Sequence, residues 1–238
     1  MKDQLSNNTQ FGAHRGLRLS YPDNTLQGIV AAAAVADFVE LDVRRSADGR
    51  MVLSHEPSFG SVGIADHRWE ELRKVDLGDG YHPALLDDVL EALPDTPLDI
   101  EIKNFPYQPG FDSEGSFAVE VAACSRPIDV VTCFFWPTMD VVKAALPDVR
   151  TGLLVFEAGS ASDVIAAAGG GGHQLVAPHF SLLVDSGEQS IDLAHEAGLE
   201  VMTWTVNDVV MAQRFVAAGI DGIISDDPVA ISRSCDEH

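Results

Sequence analysis

Four short segments carry residue types that do chemistry when brought together. Val39-Glu40-Leu41-Asp42-Val43 alternates apolar and acidic side chains. In a strand, neighbours point to opposite faces, so Glu40 and Asp42 share one face and Val39, Leu41 and Val43 the other. Two carboxylates held side by side in a low-dielectric interior are costly without compensation, and a bound cation is the simplest one. The competing reading is a half-solvated strand with one polar face. Leu98-Asp99-Ile100-Glu101-Ile102-Lys103 repeats the pattern. It places Glu101 and Lys103 on one face near a strand end, as a metal carboxylate and an anion-binding cation, or simply as a pair with each other. Asp99 sits lower on that face and reads as half of a structural ion pair. His14-Arg15-Gly16 supplies a proton carrier, an anion clamp and a permissive turn. A second histidine, His55, follows Met51–Ser54. Two histidines, acids of metal-ligand type and two cations at strand ends describe a site for an anionic substrate.

Positioning these groups requires strands that end together. Apolar or β-rich runs recur at Thr9–Arg15, Phe38–Val43, Met51–Ser54, Leu98–Lys103, Ile128–Phe135, Thr151–Phe156, Gln174–Ala177, Leu199–Val206 and Ile220–Ser225. Helical patterns lie between most of them. Asn24–Ala36 has Asp23 or Asn24 as its expected cap, and Leu85–Leu93 stops before Pro94. Thr138–Leu146 stops before Pro147. Gln189–Ala197 closes at Gly198, and Asn207–Ala218 has an Asn cap and a stop at Gly219. Alternating strands and helices argue for a parallel sheet. Merging Met51–Ser54 with the loop after the second strand leaves eight units of about 30 residues, the arithmetic of a (β/α)8 TIM barrel. An open doubly wound sheet is the alternative, weakened by the absence of Gly-x-Gly-x-x-Gly after the first strand. Residues 1–238 read as one domain, with residues 57–83 as a loop elaboration carrying one helical pattern near 66–74, and with 233–238 as a loose tail.

Composition narrows the partners. Fifteen Lys and Arg against 37 Asp and Glu leave a net charge of −22, which repels nucleic acid phosphates and anionic lipid surfaces. An anionic substrate therefore needs a local cation. Three cysteines do not make a disulfide framework. No run of about 18 apolar residues offers a membrane span, so stable membrane insertion is not expected. The polar N-terminal ten residues are no secretory signal, which makes the cytoplasm the default location. Gly169–Gly172 lacks the Lys-Ser/Thr of a phosphate loop and reads as a flexible turn. Cys133, at a strand end, is a candidate to face the site, with nothing nearby in sequence to activate its thiolate.

The ordered set of motifs resembles the glycerophosphodiester phosphodiesterase family. It comprises His14-Arg15-Gly16, Asn24-Thr25-Leu26, Glu40-Leu41-Asp42-Val43, Asp48-Gly49, His55 and Glu101-Ile102-Lys103. It continues with Trp204-Thr205-Val206-Asn207 and with Gly219 to Asp226. The resemblance spans nearly the whole chain. It implies a TIM barrel that hydrolyses a small-molecule glycerophosphodiester to sn-glycerol 3-phosphate and an alcohol with one divalent cation, Mg2+ or Ca2+. It implies His14 and His55 as the catalytic pair and Glu40, Asp42 and Glu101 as metal ligands. Arg15 and Lys103 match phosphate contacts, and Trp204 matches an aromatic residue near the mouth. Trp136 and His179 are further candidates for the substrate rim, against a packing role for each. The same residues would serve a lysophospholipase D, a cyclic-phosphate-forming lyase or a catalytically silent barrel that binds a cation or phosphoester. Three positions depart from the family pattern. Asp23 stands where Glu is usual before Asn-Thr, and Glu56 stands where Asp is usual after the second histidine. Cys133-Phe134-Phe135-Trp136-Pro137 stands where Ser-Phe-Asp is common, which implies an apolar, aromatic rim and a leaving group other than choline or ethanolamine, an apolar one among the candidates.

Overall fold

The computed structural model describes residues 9–157, 160–186 and 189–236. Eight strands form the frame: β1 (Gln10–His14), β2 (Phe38–Arg45), β3 (Leu98–Ile102), β4 (Val130–Cys133), β5 (Thr151–Val155), β6 (Leu175–Pro178), β7 (Glu200–Thr203) and β8 (Gly222–Ser225). Each pairs in parallel with its successor, and β8 pairs with β1, so the sheet closes into a barrel. Helices return the chain over the outside, as parallel connections demand. Among the described residues, no helix is long and apolar enough to cross a membrane.

The alternation along β2 explains the layering. Val39, Leu41 and Val43 are fully buried in the layer between barrel and helices, together with Ile100 and Ile102 of β3. Each such side chain contributes about 1.5–3 kcal/mol on burial. The opposite face builds the barrel interior. Its lower part is apolar, made of Phe38, Val130, Leu175, Met202 and Ile224. Gly12 makes room for it, since a Cβ there would lie 2.2 Å from the Phe38 ring. Above this apolar plug the interior turns polar, with Glu40, Asp42, Asp99 and Glu101 all buried.

Several local expectations are corrected. Met51–Leu53 is a short strand antiparallel to the end of β2, with Val43 opposite Leu53. Residues 57–83 hold a two-stranded hairpin (Ser58–Phe59 with Val62–Gly63) and a single helical turn, Trp69–Leu72. Ile64, Leu72, Val52 and Leu85 give this segment a small core of its own. The first helix is Leu26–Ala33 and is capped by Thr25, whose hydroxyl accepts from Gly28 N. Asp23 and Asn24 are drawn into the site instead. Asp208, not Asn207, caps the helix Val209–Ala217. The glycine run is no loose turn: Gly169 to Gly171 complete the helix Ala161–Gly171, and Gly172 stops it in the left-handed region. Helices Ser116–Cys124, Ala161–Gly171 and Pro228–Asp236 escape the sequence pattern, because they bury mostly small residues or only a few positions each. The last of these absorbs residues 233–236 of the expected loose tail, while the final two residues lie outside the described ones. The N-terminal segment up to residue 8 also lies outside them.

Candidate active site

The C-terminal ends of the strands surround a cavity of about 320 Å³. One side is polar, formed by His14, Arg15, Glu40, His55, Glu101 and Lys103. The other is apolar, formed by Phe105, Phe134, Leu154, Phe156, Trp204 and Ile224. Thr132 and Asp99 also line it.

Strand register sets the acidic cluster. Asp42 lies beside Glu101 and Glu40 beside Asp99 across the β2–β3 pair. One carboxylate oxygen each from Glu40, Asp42 and Glu101 lie within 4.8 Å of one another. Lys103 Nζ reaches into the cluster, 2.8 Å from Asp42 Oδ1 and 2.5 Å from Glu101 Oε1. Arg15 Nε lies 3.2 Å from Asp42 Oδ2, and Arg15 N donates to Glu40 Oε2 at 2.9 Å. Arg15 takes a left-handed backbone (φ 58°), followed by Gly16 at φ 86°. A Cβ on Gly16 would lie 2.7 Å from the Gly28 backbone, so the turn that aims Arg15 needs glycine there.

Burial and neighbouring charge divide the carboxylates. Burial pushes Glu40 up, and the Asp42 and Glu101 charges push it further, well above the usual range. Burial also raises Glu101, to about 7, against the pull of Lys103. Burial acts on Asp42 in the same sense, but Lys103 and Arg15 overcome it and hold the group well below the usual range. Burial lowers Lys103, yet Glu101 and Asp42 more than offset it and leave its pKa raised. Asp99 has a hydroxyl partner in place of the expected ion pair: Thr132 Oγ1 donates to it at 2.7 Å, and burial pushes it to about 7.

The cluster fits a hard divalent cation. Its donors are all carboxylate oxygens, which suit Mg2+ or Ca2+ rather than a soft metal. Asp42 Oδ1 and Glu101 Oε1 are buried without a donor in hydrogen-bond geometry, their Lys103 contacts being ionic. Those oxygens therefore keep lone pairs to offer.

Both histidines have a carboxylate on Nδ1. His14 is buried, with Nδ1 2.7 Å from Asp226 Oδ1. His55 is half-buried, with Nδ1 2.8 Å from Glu56 Oε1. Burial lowers the pKa of each, aided by Arg15 at His14 and by Lys103 at His55. Arg44, buried on β2, donates to the His55 carbonyl from Nε at 2.9 Å and Nη2 at 2.5 Å, which anchors the loop carrying that histidine.

The rim is aromatic. Phe105 stacks on Phe134 at 5.9 Å between centroids, Phe134 meets Trp204 edge to face at 5.3 Å, and Trp204 approaches Phe156 at 6.1 Å. His179 packs behind this wall against Phe180, Trp204 and Phe156, and its Nδ1 lies 2.8 Å from Ser181 Oγ. It does not line the cavity. Trp136, expected at the rim, is a correction: its indole N–H donates to Leu154 O at 3.0 Å and its ring packs on the helix-side core. Cys133 is likewise turned to that core, where burial pushes its thiol to about 12.

Asn24, Arg44, Asp226 and Arg18 receive no role in the site from sequence reasoning. Asn24 sits at φ 58°, and its side-chain amide donates to Asp42 Oδ2 at 2.8 Å while its Oδ1 accepts from Asp42 N at 3.0 Å. Asn24 and Asp226 do fall inside the segments that carry the family resemblance. Arg44 continues the inward alternation of Glu40 and Asp42, which was its available signal.

Comparison with known proteins places this arrangement. The glycerophosphoryl diester phosphodiesterase family model matches residues 14–230. A glycerophosphodiester phosphodiesterase of Caldanaerobacter subterraneus is 27% identical over 232 residues, covering 91% of this chain and 93% of that one. The crystal structure of a glycerophosphodiester phosphodiesterase from Thermotoga maritima superposes with a TM-score of 0.79 at 26% identity, over 94% of this chain and 97% of that one. An Oleispira antarctica phosphodiesterase, solved with the product sn-glycerol-3-phosphate, shares the fold with a TM-score of 0.83 at 24% identity, over 97% and 98% of the two chains. With the family model covering all but the chain's ends, this protein belongs to the glycerophosphoryl diester phosphodiesterase family.

Proposed function

We propose that the protein hydrolyses glycerophosphodiesters to sn-glycerol 3-phosphate and an alcohol, using a divalent cation and the histidine pair. The observation that carries this reading is the three-carboxylate cluster, within 4.8 Å, in a cavity shared with two histidines whose Nδ1 atoms face carboxylates. Glu40, Asp42 and Glu101 hold the cation, Mg2+ or Ca2+. When bound, it supplies positive charge that offsets the phosphate and stabilises charge developing on the equatorial oxygens. Arg15 and Lys103 add fixed positive charge on the same side of the cavity, which counters the repulsion of an anion by a chain of net charge −22. One histidine takes a proton from the attacking water on Nε2, and the other gives a proton from Nε2 to the departing alcohol oxygen. The water O–P bond forms as the P–O bond to the alcohol breaks. The apolar wall of Phe134, Phe156 and Trp204 favours a second reading, cleavage of diesters with an apolar alcohol, including lysophospholipids. The free cysteines accord with a reducing compartment such as the cytoplasm.

The test is release of glycerol 3-phosphate from glycerophosphocholine, in chelator and then with Mg2+ or Ca2+, with His14→Ala and Glu40→Gln alongside. Metal-dependent release, lost in both variants, supports the reading. No release under any metal sinks it for small diesters. Release unaffected by chelator removes the metal from it. A cyclic phosphate seen by phosphorus NMR replaces hydrolysis by a lyase reaction.

A further inference from the structure

Asp226 stands immediately after β8, 212 positions from His14 along the chain. Barrel closure brings them together, because Ala13 is in register with Ser225 across the β1–β8 pair. The carboxylate is braced from elsewhere as well. Its Oδ2 accepts from Asn207 Nδ2 at 2.7 Å. Asn207 Oδ1 in turn accepts from Asp226 N at 2.9 Å and from Ser225 Oγ at 3.0 Å. Arg18 Nη1 donates to Asp226 Oδ1 at 3.1 Å while Arg18 Nε donates to Asp23 Oδ1 at 3.1 Å. The loops after β1, β7 and β8 thus converge on one carboxylate.

The distance to His14 decides where the ring proton sits. Arg18 Nη1 also lies 3.2 Å from His14 Nδ1, so a bare Nδ1 could in principle accept from the guanidinium. A bare Nδ1 and an ionised Oδ1 would then be two acceptors 2.7 Å apart, which repel. Burial works to raise the Asp226 pKa, but the His14 and Asn207 hydrogen bonds hold it well below the usual range, so it is ionised at neutral pH. Nδ1 therefore carries the proton, and Nε2 of the neutral ring keeps its lone pair on the ring that lines the cavity. His55 differs: its carboxylate partner is its own neighbour Glu56, which is 72% exposed and solvated.

We infer that Asp226, braced by Asn207 and Arg18, is a positioning residue that sets the tautomer and orientation of His14, so that Nε2 handles the proton of the phosphodiester reaction. The kinetic part rests on the reading of His14 as a proton carrier. The tautomer part does not.

Asp226→Ala and Asn207→Ala test it by two readouts. The first is long-range 15N NMR of the His14 ring, its signals assigned by their loss in His14→Gln. The native chain is expected to show the Nδ1–H tautomer, and Asp226→Ala to lose that preference. The second is steady-state kinetics on glycerophosphocholine with metal supplied. Asp226→Ala is expected to lower kcat about 100-fold, within the span of one proton-transfer group, with KM changed less than about threefold. Asp226→Asn, which keeps an acceptor oxygen, should recover part of the loss. Asn207→Ala leaves the carboxylate in place but unbraced, and should lower kcat about tenfold. It keeps the inference testable if Asp226→Ala does not fold. Unchanged His14 ring signals in Asp226→Ala, or a loss carried by KM alone, would overturn the inference. A native chain that is inactive on every diester would instead overturn the functional reading, and the ring signals would still judge the Asp226–His14 link.

Discussion

Replacing Lys103 by Met tests the electrostatics of the barrel interior directly. The Lys103 side chain is 2% exposed and bridges Asp42, at 0%, to Glu101, at 10%. With Glu40 and Asp99 beside them, four acidic groups share this interior, and removing Lys103 leaves Arg15 as the one cation in contact with Asp42 among the described residues. Breaking a buried ion pair by deleting one partner costs about 3–5 kcal/mol. For a chain of this size that is a fall in Tm of roughly 10 °C. The assay is thermal unfolding in chelator at pH 8, native against Lys103→Met.

The pH dependence fixes the sign. Glu101 and Asp99, both held at about 7, bind protons more tightly folded than unfolded. Their contribution to stability is full below the ordinary carboxylate range and is lost as pH rises through about 7. Each is worth on the order of 3 kcal/mol over that window. The metal-free native chain should therefore lose stability between about pH 5 and pH 8, and the Lys103→Met deficit should shrink at pH 5, where Glu101 is protonated and only Asp42 still faces the lysine as a charge. A divalent cation at one hundred times its Kd should return about 2.7 kcal/mol to the native chain. A variant that melts within 2 °C of native at pH 8 in chelator, or a deficit that grows as pH falls, would refute the reasoning.

Other outcomes follow from the same geometry. His14→Ala and His55→Ala should each lower kcat by about 10²–10⁴ with little change in KM, measured with glycerophosphocholine and saturating metal. Asn24→Ala removes both hydrogen bonds to Asp42 and forces alanine to φ 58°, and should cost about 2–4 kcal/mol in urea unfolding, with Asn24→Gly recovering the backbone part. Phe156 is 56% exposed, so Phe156→Ala should leave Tm within about 2 °C, since little burial is lost. It should raise KM about tenfold for a diester of an apolar alcohol and much less for glycerophosphocholine, the worth of about 1.4 kcal/mol of apolar contact.

Much of the barrel follows from local rules. Val39, Leu41 and Val43 alternate with Glu40 and Asp42, and that period of two specifies a strand with one apolar and one acidic face wherever it sits. The stop at Gly219 is legible for the same reason, since glycine tolerates the left-handed backbone that ends a helix. The helix Ala161–Gly171 is the counterexample. Its alanines favour a helix and its glycines oppose one, so packing over Val164 and Ala168 decides, and that packing is invisible until β6 and the helix Gln189–Glu196 are placed.

The caps show where local reasoning stops. Asp23 and Asn24 are good caps by type, yet Asn24 binds Asp42 and Asp23 binds Arg15 and Arg18, leaving Thr25 to cap the helix. Asn207 is taken the same way by Asp226, and Asp208 caps in its place. A polar side chain goes to its strongest available partner, and in a buried site that partner is a charge from a distant strand. Cys133 and Trp136 were ambiguous for a related reason, because which face of a strand end meets the cavity depends on the closure of the whole barrel.

The linear order of residues was enough to determine the kinds of groups, their alternation within each strand and the number of strand–helix units, because those depend on neighbours two to four positions apart. Tertiary structure alone decided that carboxylate oxygens of Glu40, Asp42 and Glu101 lie within 4.8 Å of one another, that Lys103 contacts both Asp42 and Glu101, and that Asp226 meets His14. Those contacts form only when eight strands close in one register, and a one-residue slip in any pair would turn the side chains of that strand to the other face.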